Sequence, residues 1–219
     1  MNTRALVLLS GGQDSATCLA QAIKDFPGAV SAVAFDYGQR HKIELDQAAI
    51  IAKKTHINLD IISLPFISDL THNALTRKDI AIESKEGELP STFVDGRNLF
   101  FLSVAAVIAK QQGCHILYTG VCETDFSGYP DCREDFIKSL EQTLTLAMDY
   151  PFQIRTPLMF LSKSETVLKM KDLGFLDLYR LTHTCYEGTR PACGKCPACL
   201  LRLNGFAEAG IKDPLDYVE

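Results

Sequence analysis

An α/β fold with a doubly wound, mainly parallel sheet is what the 219-residue sequence predicts. Three observations carry that reading. Short apolar runs alternate with helix-period stretches along most of the chain, the pattern of strand–helix–strand units. With 47% hydrophobic residues, the chain is long enough to bury a real core. Polar segments follow the strands, where open α/β sheets bind their ligands.

The elements follow in order. Residues 4–9 read as a buried strand, 15–24 as a helix and 30–35 as the next strand. A helix over 42–55 has Ile43, Ala48, Ile51 and Ala52 as its inner face, and 58–64 forms a third strand. Residues 71–96 show no period and are mostly polar, as expected of a lid over a site or of a mobile surface insertion. The apolar stretch 98–112 is a helix that Gly113 can end, and 115–119 is a fourth strand. Phe136, Leu140, Leu144 and Ala147 give 134–148 helical spacing, and a short strand lies near 152–155. Ser162 and Glu165 have capping-box spacing, so a helix starts at Lys163. The expected organisation is a nucleotide-binding α/β domain over 1–180. A small cysteine-bearing segment, 181–219, packs on the same domain.

Charge and composition narrow the function. No run approaches 18 apolar residues, so no membrane span is expected. The first residues lead directly into a strand rather than into a signal-like stretch, which predicts a cytoplasmic protein. The net charge of -5 argues against a nucleic-acid partner, which usually calls for a basic face. Of the eight cysteines, Cys18, Cys114, Cys122 and Cys132 are scattered, as small core residues would be. The other four cluster.

The first strand runs into Ser10-Gly11-Gly12-Gln13-Asp14-Ser15. Glycines let backbone approach a ligand, successive N–H groups form an anion nest, and the following helix points its positive end at the same place. Ser10 and Ser15 can add hydroxyl donors. Neither a Walker A loop nor a GxGxxG fingerprint is present. The stretch resembles the SGGxDS signature of PP-loop ATP pyrophosphatases. That resemblance implies an adenine nucleotide alpha hydrolase-like fold of the PP-loop/HUP type. It implies a loop holding the β- and γ-phosphates of ATP while a substrate oxygen attacks the α-phosphorus. Asp14 would shape the loop or bind Mg²⁺. Leu9 through Ser15, with Ala16, Thr17, Cys18 and Leu19 of the helix start, would form the ATP site. Thr156-Pro157-Leu158, Leu161, Lys163 and Glu165 resemble a later family segment whose lysine reaches the phosphates. Ser10, Asp14, Ser15 and Lys163 are then the catalytic candidates.

Cys185, Cys193, Cys196 and Cys199 supply four thiols within fifteen residues, in two overlapping CxxC turns. Four sulfurs suit one closed, structural Zn²⁺ site. Arg190, Lys195 and Arg202 can balance its charge, and Pro191, Gly194 and Pro197 should keep the segment out of helix. An iron–sulfur cluster is the rival. The bacterial spacing asks for a further cysteine where Leu203 stands.

Phe35–His41 (FDYGQRH), Phe93–Asn98 (FVDGRN) and Gly120–Arg133 (GVCETDFSGYPDCR), in order with the cysteine tail, resemble the 7-cyano-7-deazaguanine synthases over nearly the whole chain. One departure is Asp95, where that family usually has Pro. The resemblance implies ATP-dependent conversion of 7-carboxy-7-deazaguanine and ammonia to the nitrile preQ0, through adenylated carboxylate and amide, in queuosine biosynthesis. It also implies a homodimer. Glu123, Asp125 and Asp131 would accept hydrogen bonds from the guanidine-like edge of the substrate. Phe126 or Tyr129 would stack on it, and Arg97 would hold a carboxylate or phosphate. From their place after the second strand, Asp36, Tyr37 and Gln39 would contact adenosine and Arg40 and His41 would face ATP or pyrophosphate, with Gly120 also at the ATP site. His41 or a carboxylate would take the proton from ammonium. Two alternatives stand beside this reading: a tRNA-thiolating PP-loop enzyme, and a non-catalytic, zinc-stabilised ATP sensor.

Overall fold

Five strands form one sheet: β1 (Ala5–Leu8), β2 (Val30–Asp36), β3 (Asn58–Ser63), β4 (Ile116–Tyr118) and β5 (Gln153–Arg155). The structure is a computed structural model and describes residues 4–83, 89–124 and 128–218. All pairings are parallel, in the order β3-β2-β1-β4-β5. β1 is central, with Ala5 opposite Val30 on one side and Ile116 on the other. The sheet grows outward from β1 in both directions. The chain therefore reverses its winding between β3 and β4, and a crevice opens at the carboxyl ends of β1 and β4. The doubly wound sheet expected from the sequence is present.

Alternation along β1 splits its side chains between two cores. Ala5 and Val7 enter one, with α1 (Gln13–Asp25), α2 (Ile43–Thr55), α6 (Lys163–Asp172) and α7 (Pro197–Glu208). Leu6 enters the other, with α3 (Phe66–Leu70), α4 (Arg97–Gln111) and α5 (Glu134–Met148). Leu6, Leu19 and Leu102 are fully buried, and each such side chain contributes roughly 1.5–3 kcal/mol. Among the described residues, no helix is long and apolar enough to cross a membrane.

Several expectations shift. α1 starts at Gln13, two residues before the expected Ser15, so Gln13, Asp14 and Ser15 lie in its first turn. On α2 the buried set is Leu45, Gln47, Ala48, Ile51 and Ala52, and Ile43 is only half-buried. On α5 the inner stripe is Ile137, Leu140 and Leu144 at helical spacing; Phe136 falls at its edge and Ala147 is exposed. The capping box forms as expected: Glu165 N donates to Ser162 Oγ at 3.2 Å, and Ser162 N donates to Glu165 Oε2 at 2.7 Å. Pro197 does not exclude helix but opens α7, because proline costs nothing at the first helical position.

The described parts of 71–96 are tied down. Ala74 N donates to Ser91 O at 2.7 Å, Arg40 Nη1 donates to Ala74 O at 3.0 Å, and Thr92 and Val94 are buried.

Gly11 holds the loop after β1 against α2. Its φ is +87°, and a Cβ there would lie 2.1 Å from Glu44 O and 2.8 Å from Ala48 N. The absent side chain thus serves a protein–protein approach rather than a ligand. Arg202 of α7 is fully buried. Its Nε and Nη2 donate to the Asp213 carboxylate at 2.7 and 2.9 Å, and Nη1 donates to Thr182 Oγ1 at 2.7 Å. Asp213, rather than a metal site, is therefore its counter-ion.

Gly11→Ala is expected to lose on the order of 3 kcal/mol in urea unfolding, from positive-φ strain and overlap with α2. Wild-type stability would contradict that packing. Asp213→Ala leaves the Arg202 guanidinium uncompensated and should cost about 3–5 kcal/mol in the same assay, against less than about 1 for an exposed pair.

Candidate active site

A cavity of about 350 Å³ opens at the carboxyl ends of the strands. The loop after β1, the first turn of α1, the turn after β2, Arg97 at the start of α4, Gly120 after β4, Lys163 and the segment 183–186 all line it.

The loop builds itself before any ligand arrives. Ser10 Oγ donates to Ser15 Oγ at 3.1 Å, and Ser15 Oγ donates to Gly12 O at 3.1 Å. Ser10 N and Gly12 N donate to the Ser15 and Ser10 hydroxyls at 3.2 and 3.3 Å. Both hydroxyls therefore organise the loop instead of standing open as donors. Gly12 is the N-cap of α1 and no side chain caps that end. The positive end of the helix is left facing the cavity, an arrangement suited to an anion.

Asp14 and Lys163 are joined across the cavity floor, with Lys163 Nζ donating to Asp14 Oδ2 at 2.7 Å. Asp14 Oδ1 is buried without a hydrogen-bond partner among the described residues. Lys163 reaches this place because α7 crosses close to the start of α6. A Cβ on Gly205 would lie 2.6 Å from Lys163 Cβ.

The turn after β2 is held by Gln39, whose Oε1 accepts from Tyr37 N at 2.8 Å and whose Nε2 donates to Phe35 O at 3.2 Å. Tyr37, Gln39 and Arg40 line the cavity. Arg40 also gripped the 71–96 segment above. Asp36 does not reach the cavity lining. Its carboxylate pairs with Lys42 at 2.7 Å, which holds it below the usual carboxylate range.

Arg97, the first residue of α4, is half-buried and lines the same cavity. Burial pulls its pKa down, but Tyr37, Tyr129, Asp131 and Cys132 together push it above the ordinary guanidinium value. Glu44, from the first turn of α2, lines the same cavity; burial raises its pKa to about 7, with Arg97 opposing. His41 and His183 also line it. Burial lowers both imidazole pKa values, most strongly assisted by Arg40 for His41 and by Arg190 for His183. Each has a buried Nε2 without a hydrogen-bond partner among the described residues. His183 N donates to Gly11 O at 2.9 Å, so the C-terminal segment is fastened to the glycine-rich loop.

Not every expected site residue faces the cavity. Gly11 packs on α2, and Ala16, Thr17, Cys18 and Leu19 are wholly buried in the core. Thr17 Oγ1 bonds Gln13 O and the Tyr179 hydroxyl there. Glu123 and Asp131 cap helices instead of facing a ligand. Glu123 Oε2 accepts from Glu134 N at 3.0 Å, and Asp131 Oδ2 accepts from Asn98 N at 2.9 Å. Tyr129 lines the cavity with its hydroxyl bonded to Thr92 at 2.7 Å. Asp125 and Phe126 lie outside the described residues. Glu44, His183, Thr184 and Tyr186 line the cavity with no motif to mark them.

The sulfurs of Cys185, Cys193, Cys196 and Cys199 lie within 4.8 Å of one another, with Cys193 Sγ 3.9 Å from Cys199 Sγ. Such a cluster can hold a metal ion. Arg190, one of the expected charge partners, instead donates to Gln47 Oε1 at 2.8 Å.

Solved structures with similar chain traces are distant in sequence. The ammonia-dependent NAD synthetase from Campylobacter jejuni subsp. jejuni, solved with a nitrate ion, is 17% identical over 80% of this chain and 67% of its own, with a TM-score of 0.48. A predicted subunit of tRNA methyltransferase from Methanocaldococcus jannaschii is 17% identical over 78% and 88%, with a TM-score of 0.46. The U34-tRNA thiolase NcsA from Methanococcus maripaludis, with its [4Fe-4S] cluster, is 14% identical over 80% and 57%, with a TM-score of 0.44. The model of the family described as queuosine biosynthesis protein QueC matches residues 4–210, nearly the whole chain, and it covers the glycine-rich loop, the Arg97 wall and the four cysteines alike. The chain belongs to the QueC family, that of the 7-cyano-7-deazaguanine synthases.

Proposed function

We propose that the chain is a C–N ligase that converts 7-carboxy-7-deazaguanine and ammonia to 7-cyano-7-deazaguanine at the cost of two ATP. The observation that carries this reading is the shared cavity: a helix start without a side-chain cap, Lys163 and the half-buried Arg97 all line it. The helix start and Lys163 suit a pyrophosphate leaving group, and Arg97 suits a carboxylate.

A carboxylate is a poor electrophile because its oxygen leaves badly. Attack of that oxygen on the α-phosphorus of ATP forms an acyl adenylate and releases pyrophosphate. The backbone N–H groups at the α1 start and the Lys163 ammonium neutralise the charge that builds on the departing phosphates. Arg97 aligns the acceptor carboxylate, so positioning contributes alongside charge. Ammonia then displaces AMP to give the amide. Adenylation of the amide oxygen and loss of AMP give the nitrile.

The donor sets support two metals. The orphan oxygen Asp14 Oδ1 suits Mg²⁺, which would share charge with the phosphates. Cys185, Cys193, Cys196 and Cys199 suit Zn²⁺. A tetrahedron of sulfurs at about 2.3 Å from zinc has edges near 3.8 Å, close to the 3.9 Å separation of Cys193 and Cys199. A cubane cluster spreads its thiolates over separate irons and needs them further apart. A closed four-sulfur site stiffens the chain beside His183 rather than taking part in the chemistry.

The chain incubated with ATP, Mg²⁺, ammonium and 7-carboxy-7-deazaguanine should yield AMP, pyrophosphate and the nitrile by mass spectrometry, without RNA. ADP in place of AMP, or turnover only with tRNA, would overturn the reading. AMP-free nucleotide binding would identify a sensor. Lys163→Ala should lower kcat/KM by about 100-fold. Elemental analysis should find one zinc per chain, and Cys196→Ser should lower Tm before it alters turnover; iron with labile sulfide would refute zinc.

A further inference from the structure

The proposed reaction needs a proton acceptor. Ammonia at neutral pH is mostly ammonium, whose lone pair is blocked. The nitrogen must shed a proton before it can attack the acyl adenylate. Among the described residues the carboxylates that line the cavity are those of Asp14 and Glu44, and Asp14 is held by Lys163; Glu123 and Asp131 lie outside the lining as helix caps. Glu44 lines the cavity, and its carboxylate has no hydrogen-bond or ion-pair partner among the described residues. It stands in the turn of α2 whose carbonyl abuts Gly11, beside the glycine-rich loop, and its charge is felt at Tyr37 and Tyr186.

We infer that the Glu44 carboxylate is the proton acceptor that turns bound ammonium into the nucleophile. This inference rests on the reaction given under Proposed function. The Glu44 carboxylate takes one proton from ammonium. The freed lone pair forms the C–N bond. The bond from the acyl carbon to the AMP oxygen breaks, and its electron pair leaves with AMP. A second proton departs the nitrogen to solvent through the open cavity as the amide forms. Glu44 then gives its proton to solvent. Adenylation of the amide oxygen leaves two protons on the nitrogen, and one departs to solvent to give the neutral imidate. The Glu44 carboxylate takes the other as the carbon–oxygen bond to the second AMP breaks and its electron pair leaves with AMP.

The surroundings suit that duty. The Arg97 guanidinium of α4, the Tyr37 phenol after β2 and the Tyr186 phenol of the C-terminal segment line the same cavity and interact electrostatically with Glu44. Burial raises the carboxyl to about 7, and Arg97 limits the rise. A base poised there is deprotonated in mildly alkaline solution, yet strong enough to take a proton.

Two half-reactions separate the roles. Exchange of labelled pyrophosphate into ATP, dependent on 7-carboxy-7-deazaguanine, reports adenylation and needs no ammonia. Glu44→Gln should retain this exchange, which also shows that the variant is folded, while amide and nitrile formation with ammonium falls by at least about 100-fold. Hydroxylamine is largely unprotonated at neutral pH and should restore ligation in the variant. In the wild type at fixed total ammonium, the ligation rate should rise with pH and level off above about pH 7, because the base works once Glu44 is ionised. Ligation with hydroxylamine should lack that limb. Loss of exchange together with ligation would place Glu44 in substrate binding and overturn its role. So would ligation within a few-fold of wild type. A wild-type rate that climbs by about tenfold per pH unit through about pH 8, tracking free ammonia, would overturn it without any variant. Wild-type enzyme that shows no acid-dependent exchange would instead overturn the adenylation reading and the base with it.

Discussion

The approach of α2 to the glycine-rich loop at Gly11 is the constraint on which the rest of the site depends. It seats the first turn of α2, and with it Glu44, against the end of β1. The carbonyl of the same glycine accepts the His183 N–H, so one residue fixes two walls of the cavity. The serine network within the loop then needs no ligand to hold its shape. A loop organised in advance spends little ordering when a ligand binds.

Charge in and around the cavity is arranged by what each carboxylate touches. Asp14 faces Lys163; Asp36 faces Lys42; Glu123 and Asp131 face the open N–H groups of α5 and α4. Acids at helix starts are stabilised by the same positive end that an anion would seek. Residues that look like ligand contacts in a loop are therefore drawn to nearby backbone when a helix begins within reach. Arg97 lies under that arrangement. Asp131 caps its helix and also raises its pKa.

The sheet, its helices and the glycine-rich loop were legible because each is a local pattern. Apolar runs, helical spacing and the Ser162/Glu165 box need only neighbours along the chain. The four cysteines were legible for the same reason, and their sulfurs do converge. What escaped was set by contacts distant in sequence. Glu44 and His183 carry no motif and acquire meaning only when α2 and the 183–186 segment fold over the loop. Gly11 signals a ligand in sequence, yet its empty side faces a helix. Pro197 reads as a breaker until its place at the first position of α7 is known. Phe136 loses the inner face to Ile137 because helix rotation is decided by the partner surface, not by size.

His183 and Cys185 stand two residues apart, one bonded to the glycine-rich loop and the other in the sulfur cluster. Scaffold and cavity are continuous at this corner: one short stretch of backbone carries both a member of the sulfur cluster and the bond that fastens the glycine-rich loop.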